Sequence, residues 1–123
     1  MRVVKVKAEI GATNEKLTEL EFMVDTGAFY SILSPETCDE IGLNLPLRES
    51  VVTADSRSLT IELGVAHLKL NGREGGILVG KMNVPLPLLG VSALESLGFK
   101  VNPVDGTLEP ILPFTGAPAL GTP

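Results

Sequence analysis

The sequence predicts an all-β fold, a barrel or a sandwich, with one or two short helices. Glycine and proline are frequent, with 13 and 9 residues among 123, and they separate short segments in which apolar and polar residues alternate. That period of two is typical of strands with one buried face. The length fits one compact domain, and no apolar run is long enough to span a membrane.

The first hairpin is predicted from this alternation. One face of the first strand is apolar and consists of Val4, Val6, Ala8 and Ile10. Residues 11–16 contain the turn, and then Leu20, Phe22 and Val24 alternate with two glutamates and lead to Asp25. Because charged residues interrupt the apolar ones from the start, the beginning of the chain reads as a strand and not as a signal peptide.

Two short helices are predicted from their end signals. Ser34 can cap the first helix, Pro35 suits its first position, and Gly42 can end it. Residues 92–95 have the Ser-x-x-Glu pattern of a capping box, and Gly98 can end this second helix.

Further hairpins are predicted from β-rich arms that flank polar segments. Residues 43–49 are expected to be a connection, because Pro46 bars a long helix. The hairpins comprise arms 51–53 and 59–63 around the polar tip 54–58, arms 65–70 and 77–79 around the turn 71–76, and a last strand-turn-strand with its turn at 105–106.

Charge and rare residues exclude several functions. The net charge is -5 and no basic stripe is available for phosphates, so we expect no nucleic-acid binding. The lack of a long apolar run predicts no membrane partner. Cys38 is the single cysteine, which excludes an intrachain disulfide and favours a reducing, cytoplasmic location. His67 is the single histidine, so a multi-histidine metal cluster is excluded and His67 is expected to be an ordinary strand residue. We expect no metal and no cofactor.

The most informative segment is Phe22–Leu33, in which an apolar strand runs into Asp25, Thr26 and Gly27 before apolar residues resume. A carboxylate at a strand end beside a core is costly unless it has partners or a function. For the tripeptide alone, a surface turn is the favoured interpretation. Phe-Met-Val-Asp-Thr-Gly-Ala-x-x-Ser-x-Leu, however, resembles the active-site segment of the retropepsin-like (retroviral-type) aspartic proteases.

A second segment supports the resemblance. Leu88-Leu89-Gly90 followed by a short helix is similar to the Leu-Leu-Gly-x-x-x-Leu segment of the same family, and the order of elements over residues 3–112 also matches. The resemblance implies a closed β-barrel acid-protease fold that forms a symmetric homodimer. It divides the chain into a protease domain, 1–112, and a Pro/Gly/Ala-rich tail, 113–123.

The resemblance makes Asp25 the catalytic residue. Aspartic-protease chemistry needs two carboxylates that share one water molecule and hold one proton between them. This chain has one Asp-Thr-Gly, and its other aspartates, which lack a following Thr-Gly or Ser-Gly, are Asp39, Asp55 and Asp105. The second carboxylate must therefore come from a second copy of the chain.

The resemblance also assigns roles around Asp25. Thr26 would hydrogen-bond the opposite loop, Gly27 would allow close approach, and Ala28 would leave room for a peptide. The polar hairpin tip would be a flap over an extended peptide or protein substrate, although a solvated tip is the simpler reading. The substrate-binding residues implied are Thr53, Ala54, Asp55, Ser56, Arg57 and Leu88.

Three of these positions have a plainer interpretation. Leu88 is either pocket wall or core, and Phe29 and Tyr30 are either pocket wall or packing residues. Two departures from the viral pattern stand out: the tip 54–58 lacks glycine, and Val91 occupies the place of an arginine that braces the active-site region in the viral enzymes.

Three functions follow from these readings. The first is a dimeric aspartic endopeptidase that prefers apolar residues around the scissile bond. The alternative is a retropepsin-fold dimerisation or peptide-binding module with weak or lost catalysis, since fold alone does not fix function. The third is a plain β-barrel with Asp25 in a surface turn, which predicts a monomer.

Overall fold

A computed structural model describes residues 3–111 of the chain. This part is mostly β, with 56% of its residues in strands, and it forms a closed six-stranded barrel with two short helices. The predicted fold class is thereby confirmed as a barrel consistent with an acid-protease fold. The tail predicted for 113–123 lies outside the described residues.

The elements follow one another with short connections. In chain order they are β1 (Lys5–Thr13), β2 (Lys16–Asp25), β3 (Ser31–Leu33), α1 (Pro35–Ile41), β4 (Leu47–Val52), β5 (Ser58–Leu70), β6 (Arg73–Lys81), β7 (Leu88–Gly90), α2 (Val91–Leu97), β8 (Phe99–Asn102) and β9 (Thr107–Pro110).

The barrel closes through pairing of its first and fifth strands. The strand order is β1-β2-β7-β3-β6-β5, and β5 pairs back onto β1. The 13-residue β5 is longer than its partners, so its first half leaves the barrel and forms a hairpin with β4. The last two strands form a separate two-stranded sheet.

The main core fills the barrel and extends under α2. Each fully buried aliphatic or aromatic side chain contributes about 1.5–3 kcal/mol relative to an exposed one. The largest of these side chains are Phe22, Ile10, Leu33, Leu68, Leu70, Leu89 and Leu97. A second, smaller cluster of Ile32, Ile61 and Leu63 lies at the root of the β4–β5 hairpin.

The first helix confirms its sequence signals. The Ser34 side chain accepts a hydrogen bond from the Thr37 amide at 3.2 Å, and Pro35 stands at the first helical position. Gly42 ends the helix in the left-handed region with φ 70°. Cys38, in this helix, is buried among the core residues.

The second helix ends at Gly98 as predicted, but its capping box was wrong. Gly90 is the N-cap, and no side chain caps the helix. The Ser92 hydroxyl instead donates to the carbonyl of Phe29, which belongs to a distant loop. The Ser92 hydroxyl, which would otherwise cap the helix, is engaged by an acceptor that is distant in sequence.

Two strand boundaries also differ from the prediction. The β4 strand begins at Leu47, directly after Pro46, and the two predicted arms 59–63 and 65–70 are one continuous strand. Gly64, between those arms, lies within the strand. A Cβ at this position would lie 2.2 Å from the Asn44 carbonyl oxygen, so the position requires glycine. It therefore marks a close approach of two backbones.

The β5–β6 turn is shorter than expected, and the last hairpin matches. Only Asn71 and Gly72 form the β5–β6 turn, both with positive φ (51° and 82°), as two-residue hairpin turns require. The β8–β9 turn contains Gly106 with φ 72°, as predicted. Within residues 3–111, neither helix has the length and apolar character needed to cross a bilayer.

Candidate active site

Asp25 is the last residue of β2, where that strand meets β7 inside the barrel. The two strands run parallel there, with Met23 opposite Leu88 and Asp25 opposite Gly90. β3 lies on the other side of β7, with Ile32 opposite Leu88. The carboxylate is therefore carried by the rigid barrel and not by a long loop.

A tight turn after the strand orients the carboxylate. The Gly27 amide donates to Asp25 Oδ1 at 3.0 Å, and the Ala28 amide donates to the Asp25 carbonyl at 3.1 Å. The hydrogen bond from Gly27 holds the carboxylate of Asp25 in one side-chain orientation. Asp25 is half-buried, so it is held by the protein while still open to the space beside it.

A buried hydrogen bond locks β7 against the loop that follows Asp25. Gly90 donates its amide to the hydroxyl of Ser31 at 3.0 Å, and Ser31 is 0% exposed. A Cβ at Gly90 would lie only 2.4 Å from the Tyr30 carbonyl oxygen, so no other residue fits there. Gly90 therefore lets β7 pass close to the backbone of the loop that follows Asp25.

The start of α2 completes the attachment. The Val91 amide donates to the Ala28 carbonyl at 2.8 Å, and the Ser92 amide donates to the Phe29 carbonyl at 3.0 Å. The helix thus uses its first free amides to hold the loop that carries Asp25. We call the Asp25 loop (25–30), β7 and the first turn of α2 the floor of the site.

A pocket of about 640 Å³ opens between the floor and the β4–β5 hairpin. Its walls are mostly apolar, and Asp25 supplies the one carboxylate among the described residues that line it. The lining residues are Asp25, Gly27, Ala28, Phe29, Tyr30, Ile32, Val51, Val52, Thr53, Ala54, Ile61, Met82 and Leu88.

The structure brings together some of the site residues named from the sequence and leaves others outside. Within the lining are the predicted Asp25, Gly27, Ala28, Thr53, Ala54 and Leu88, while Thr26, Asp55, Ser56 and Arg57 are not part of it. Phe29 and Tyr30 line the pocket and contact each other edge to face, with ring centroids 5.1 Å apart.

Sequence reasoning missed five lining residues, which are Ile32, Val51, Val52, Ile61 and Met82. Two of them, Val51 and Val52, lie on the predicted hairpin arm 51–53, and the nearness of this arm to the polar tip was a usable signal. The other three come from different parts of the chain. No local pattern distinguishes them from ordinary core residues.

The tip of the hairpin is held by a network of polar groups. The Thr53 amide donates to the Arg57 carbonyl at 2.9 Å, the Thr53 hydroxyl donates to the Asp55 carboxylate, and Arg57 Nε lies 3.1 Å from Asp55 Oδ2. The Thr53 hydroxyl, and after it hydrogen bonds from Arg57 and the local backbone, hold the pKa of Asp55 below its ordinary value. Ser56 takes φ 67°, where glycine is usual.

The single cysteine and histidine lie away from the pocket lining. Burial raises the pKa of the Cys38 thiol above its ordinary value, which makes it unreactive. His67 Nε2 lies 2.7 Å from Glu74 Oε1 across the β5–β6 hairpin. Over the described range 3–111, no group of three or more His, Cys, Asp or Glu residues could hold a metal ion.

Comparison with known families identifies the class to which this barrel and its Asp-Thr-Gly loop belong. A family model described as aspartyl protease matches residues 6–93, which is most of the chain and includes Asp25, the β4–β5 hairpin and the Leu-Leu-Gly segment. The chain therefore belongs to this retropepsin-like aspartyl protease family. Comparison with curated proteins gave no match.

Proposed function

We propose that the protein is an aspartic endopeptidase that works as a homodimer, with one Asp25 from each subunit. The observation that carries this proposal is the single carboxylate in an otherwise largely apolar pocket, held on a tight turn at the end of a barrel strand. Membership of the aspartyl protease family supports a hydrolase of this general type.

The second subunit is needed because the chain offers no second carboxylate at the pocket. Asp39 lies in α1, Asp55 at the hairpin tip, and Asp105 in the β8–β9 turn, and none of them lines the pocket. Phe29 and Val52, at the pocket, are 56% and 73% exposed. Apolar side chains so exposed beside a pocket are suited to contact a second subunit or a substrate.

The mechanism follows from two carboxylates that share one water molecule. Close like charges do not both ionise, so the pair carries one proton. The ionised Asp25 takes a proton from the water molecule, and the oxygen of that water forms a bond to the peptide carbonyl carbon. The protonated Asp25 of the other subunit donates its proton to the carbonyl oxygen. The Asp25 that took the proton from water then gives it to the amide nitrogen, while the other Asp25 takes back a proton from one hydroxyl of the tetrahedral intermediate. The intermediate collapses, the C–N bond breaks, and the amine leaves with the pair again holding one proton.

The substrate is an extended peptide with apolar side chains near the scissile bond. Leu88, Ile61 and Met82 offer apolar surface to such side chains, and Ala28 leaves space beside the peptide backbone. The β4–β5 hairpin acts as the flap, with Thr53 and Ala54 facing the pocket and Asp55, Ser56 and Arg57 shaping its tip. Thr26 has the role of hydrogen-bonding the opposite loop in the dimer.

A reducing, cytoplasmic location belongs to the same proposal. It is supported by the one cysteine of the chain, which is buried and has a raised pKa. Such a thiol packs as a small apolar side chain and has no disulfide partner within the chain.

Replacement of Asp25 tests the proposal. Asp25→Asn removes the charge and keeps the shape of the side chain, so we expect the rate of cleavage of a peptide library to fall by about 10²- to 10⁴-fold. The melting temperature and the dimer should be unchanged. A pepstatin-type transition-state analogue should bind the wild type and compete with substrate. Asp39→Asn, on α1, is the matched control and should cleave normally.

Two outcomes contradict the endopeptidase. If the wild-type dimer binds peptides and releases them intact at every pH from acidic to neutral, the protein is a peptide-binding module. If sedimentation shows a monomer at all concentrations, Asp25 has no partner and the mechanism fails.

A further inference from the structure

We propose that Arg73 is a positioning residue, which ties α2 and the β8–β9 hairpin to the barrel and through α2 holds the Asp25 loop in place. Its effect on catalysis rests on the proposed function, whereas its effect on local structure does not. Arg73 is the first residue of β6 and is not among the residues that line the pocket.

One nitrogen of Arg73 gathers three backbone carbonyls from two different elements. Its Nη1 donates to the carbonyls of Leu97 at 3.1 Å, Gly98 at 2.7 Å and Ile111 at 3.3 Å. Leu97 and Gly98 end α2, and Ile111 directly follows β9. A single side chain of the barrel therefore holds the end of the helix and the end of the last hairpin together.

Arg73 supplies a charge that α2 itself lacks. The last turn of α2 contains no basic residue, although the final carbonyls of a helix are unpaired and carry partial negative charge. The guanidinium of Arg73, which belongs to β6, donates hydrogen bonds to these carbonyls and places a positive charge beside them. It also lies 5.2 Å from the ring centroid of Phe99, the first residue of β8, in a cation–π contact.

The other end of α2 holds the catalytic loop. Val91 and Ser92 donate their amides to the Ala28 and Phe29 carbonyls, as described above. The helix has only seven residues, and Ala93, Leu94 and Leu97 bury its inner face in the core. A helix so short and so well packed moves as one body, so a shift at its Arg73 end displaces the loop at its Val91 end.

This arrangement also accounts for a departure in the sequence. Val91 occupies the position at which the viral enzymes, by resemblance, carry a bracing arginine. Here an arginine on β6 holds the opposite end of the same helix. The bracing function is supplied by a different element of the fold.

The test compares three variants. Arg73→Met removes the charge and all three hydrogen bonds, and Arg73→Lys keeps a cation that can reach the point where the carbonyls converge. Lys69→Met removes a charge from an exposed position of the same β5–β6 hairpin and is the matched control. Each variant is measured by amide hydrogen exchange of residues 88–93 and 99–111, by kcat and KM at saturating dimer concentration, and by thermal unfolding.

We expect Arg73→Met to speed exchange in both segments and to lower kcat roughly tenfold with little change in KM, because small misplacement of a catalytic group is costly. Arg73→Lys should restore most of both properties, and Lys69→Met should match the wild type. If Arg73→Met does not fold, Arg73→Gln, which keeps one amide donor, replaces it in the comparison.

A merely structural role would give a different result. If Arg73→Met lowers the melting temperature but leaves kcat and the exchange of residues 88–93 unchanged, the proposal is overturned. If Arg73→Lys restores neither the slow amide exchange nor kcat, the role of the positive charge is overturned. Should the wild type cleave no peptide, the proposed function fails, and the exchange data alone still decide whether Arg73 holds the loop.

Discussion

The floor of the site and the β4–β5 hairpin above it, the proposed flap, are built in opposite ways. The floor is joined by hydrogen bonds among backbone groups and one fully buried serine, and its closest approach admits only glycine at position 90. The flap is a two-stranded hairpin whose arms are mostly exposed, and its tip is held by side chains of Thr53, Asp55 and Arg57 in solvent.

The difference indicates which part of the site is fixed and which part adjusts. A buried hydrogen bond is costly to lose, because its partner is left unsatisfied away from water. An exposed ion pair contributes little, because water and salt screen it. The floor therefore holds Asp25 in one geometry, while the β4–β5 hairpin is held weakly enough to serve as the flap of the proposed peptidase.

Gly90→Ala should produce the largest loss of stability. The new Cβ would lie 2.4 Å from the Tyr30 carbonyl oxygen and 2.7 Å from that of Phe29, so backbone must move. We expect the free energy of unfolding to fall by about 3 kcal/mol or more. Gly75→Ala is the control, because its nearest contact is a side-chain carbon at 3.4 Å. Equal melting temperatures for the two variants would contradict a fixed floor.

Ser31→Ala should have an intermediate effect. The substitution leaves the Gly90 amide without its buried acceptor, which costs about 1–3 kcal/mol in urea unfolding. Activity should fall as well, since Gly90 lies opposite Asp25. Ser96→Ala, on the exposed side of α2, serves as control. If both serine variants unfold at the same urea concentration, the buried hydrogen bond does not hold the floor.

Thr53→Val and Asp55→Asn should have the smallest effect on stability. We expect an unchanged melting temperature, faster motion of the tip in NMR relaxation, and a KM raised several-fold. The pKa of Asp55 is lowered in the folded protein, so the tip network is present at and above the ordinary range of aspartate and is lost as the pH falls through that lowered pKa.

The wild type and Asp55→Asn should therefore differ at neutral pH and converge in strong acid. If the difference in tip motion between the wild type and Asp55→Asn increases as the pH falls, the prediction is contradicted. Either variant with a melting temperature as low as that of Ser31→Ala would show that the tip is as firmly held as the floor.

Local sequence signals predicted an element correctly where the groups that they act on are close in sequence. Ser34, Pro35 and Gly42 predicted the first helix at both ends, because each of them acts on backbone groups within one turn. The alternation of apolar residues likewise predicted the inner faces of β1 and β2.

Prediction failed where a distant group decided the outcome. Ser92 was expected to cap its own helix, but the Phe29 carbonyl is 63 positions away in sequence and takes its hydroxyl. The arms 59–63 and 65–70 were predicted as separate, although they are one strand in which Gly64 makes room for residue 44. Ile61 and Met82 reach the pocket only because β5 and β6 pair beside β3, and no local pattern contains that information.

Subunit mixing tests the central claim, a shared site with one Asp25 from each chain, most directly. Wild-type and Asp25→Asn chains are mixed at constant total concentration, allowed to exchange, and assayed for cleavage. If both carboxylates are needed, activity follows the square of the wild-type fraction, so an equal mixture keeps about one quarter of full activity. A linear dependence, with about half of the activity left in the equal mixture, would mean that each chain works alone and would contradict the account.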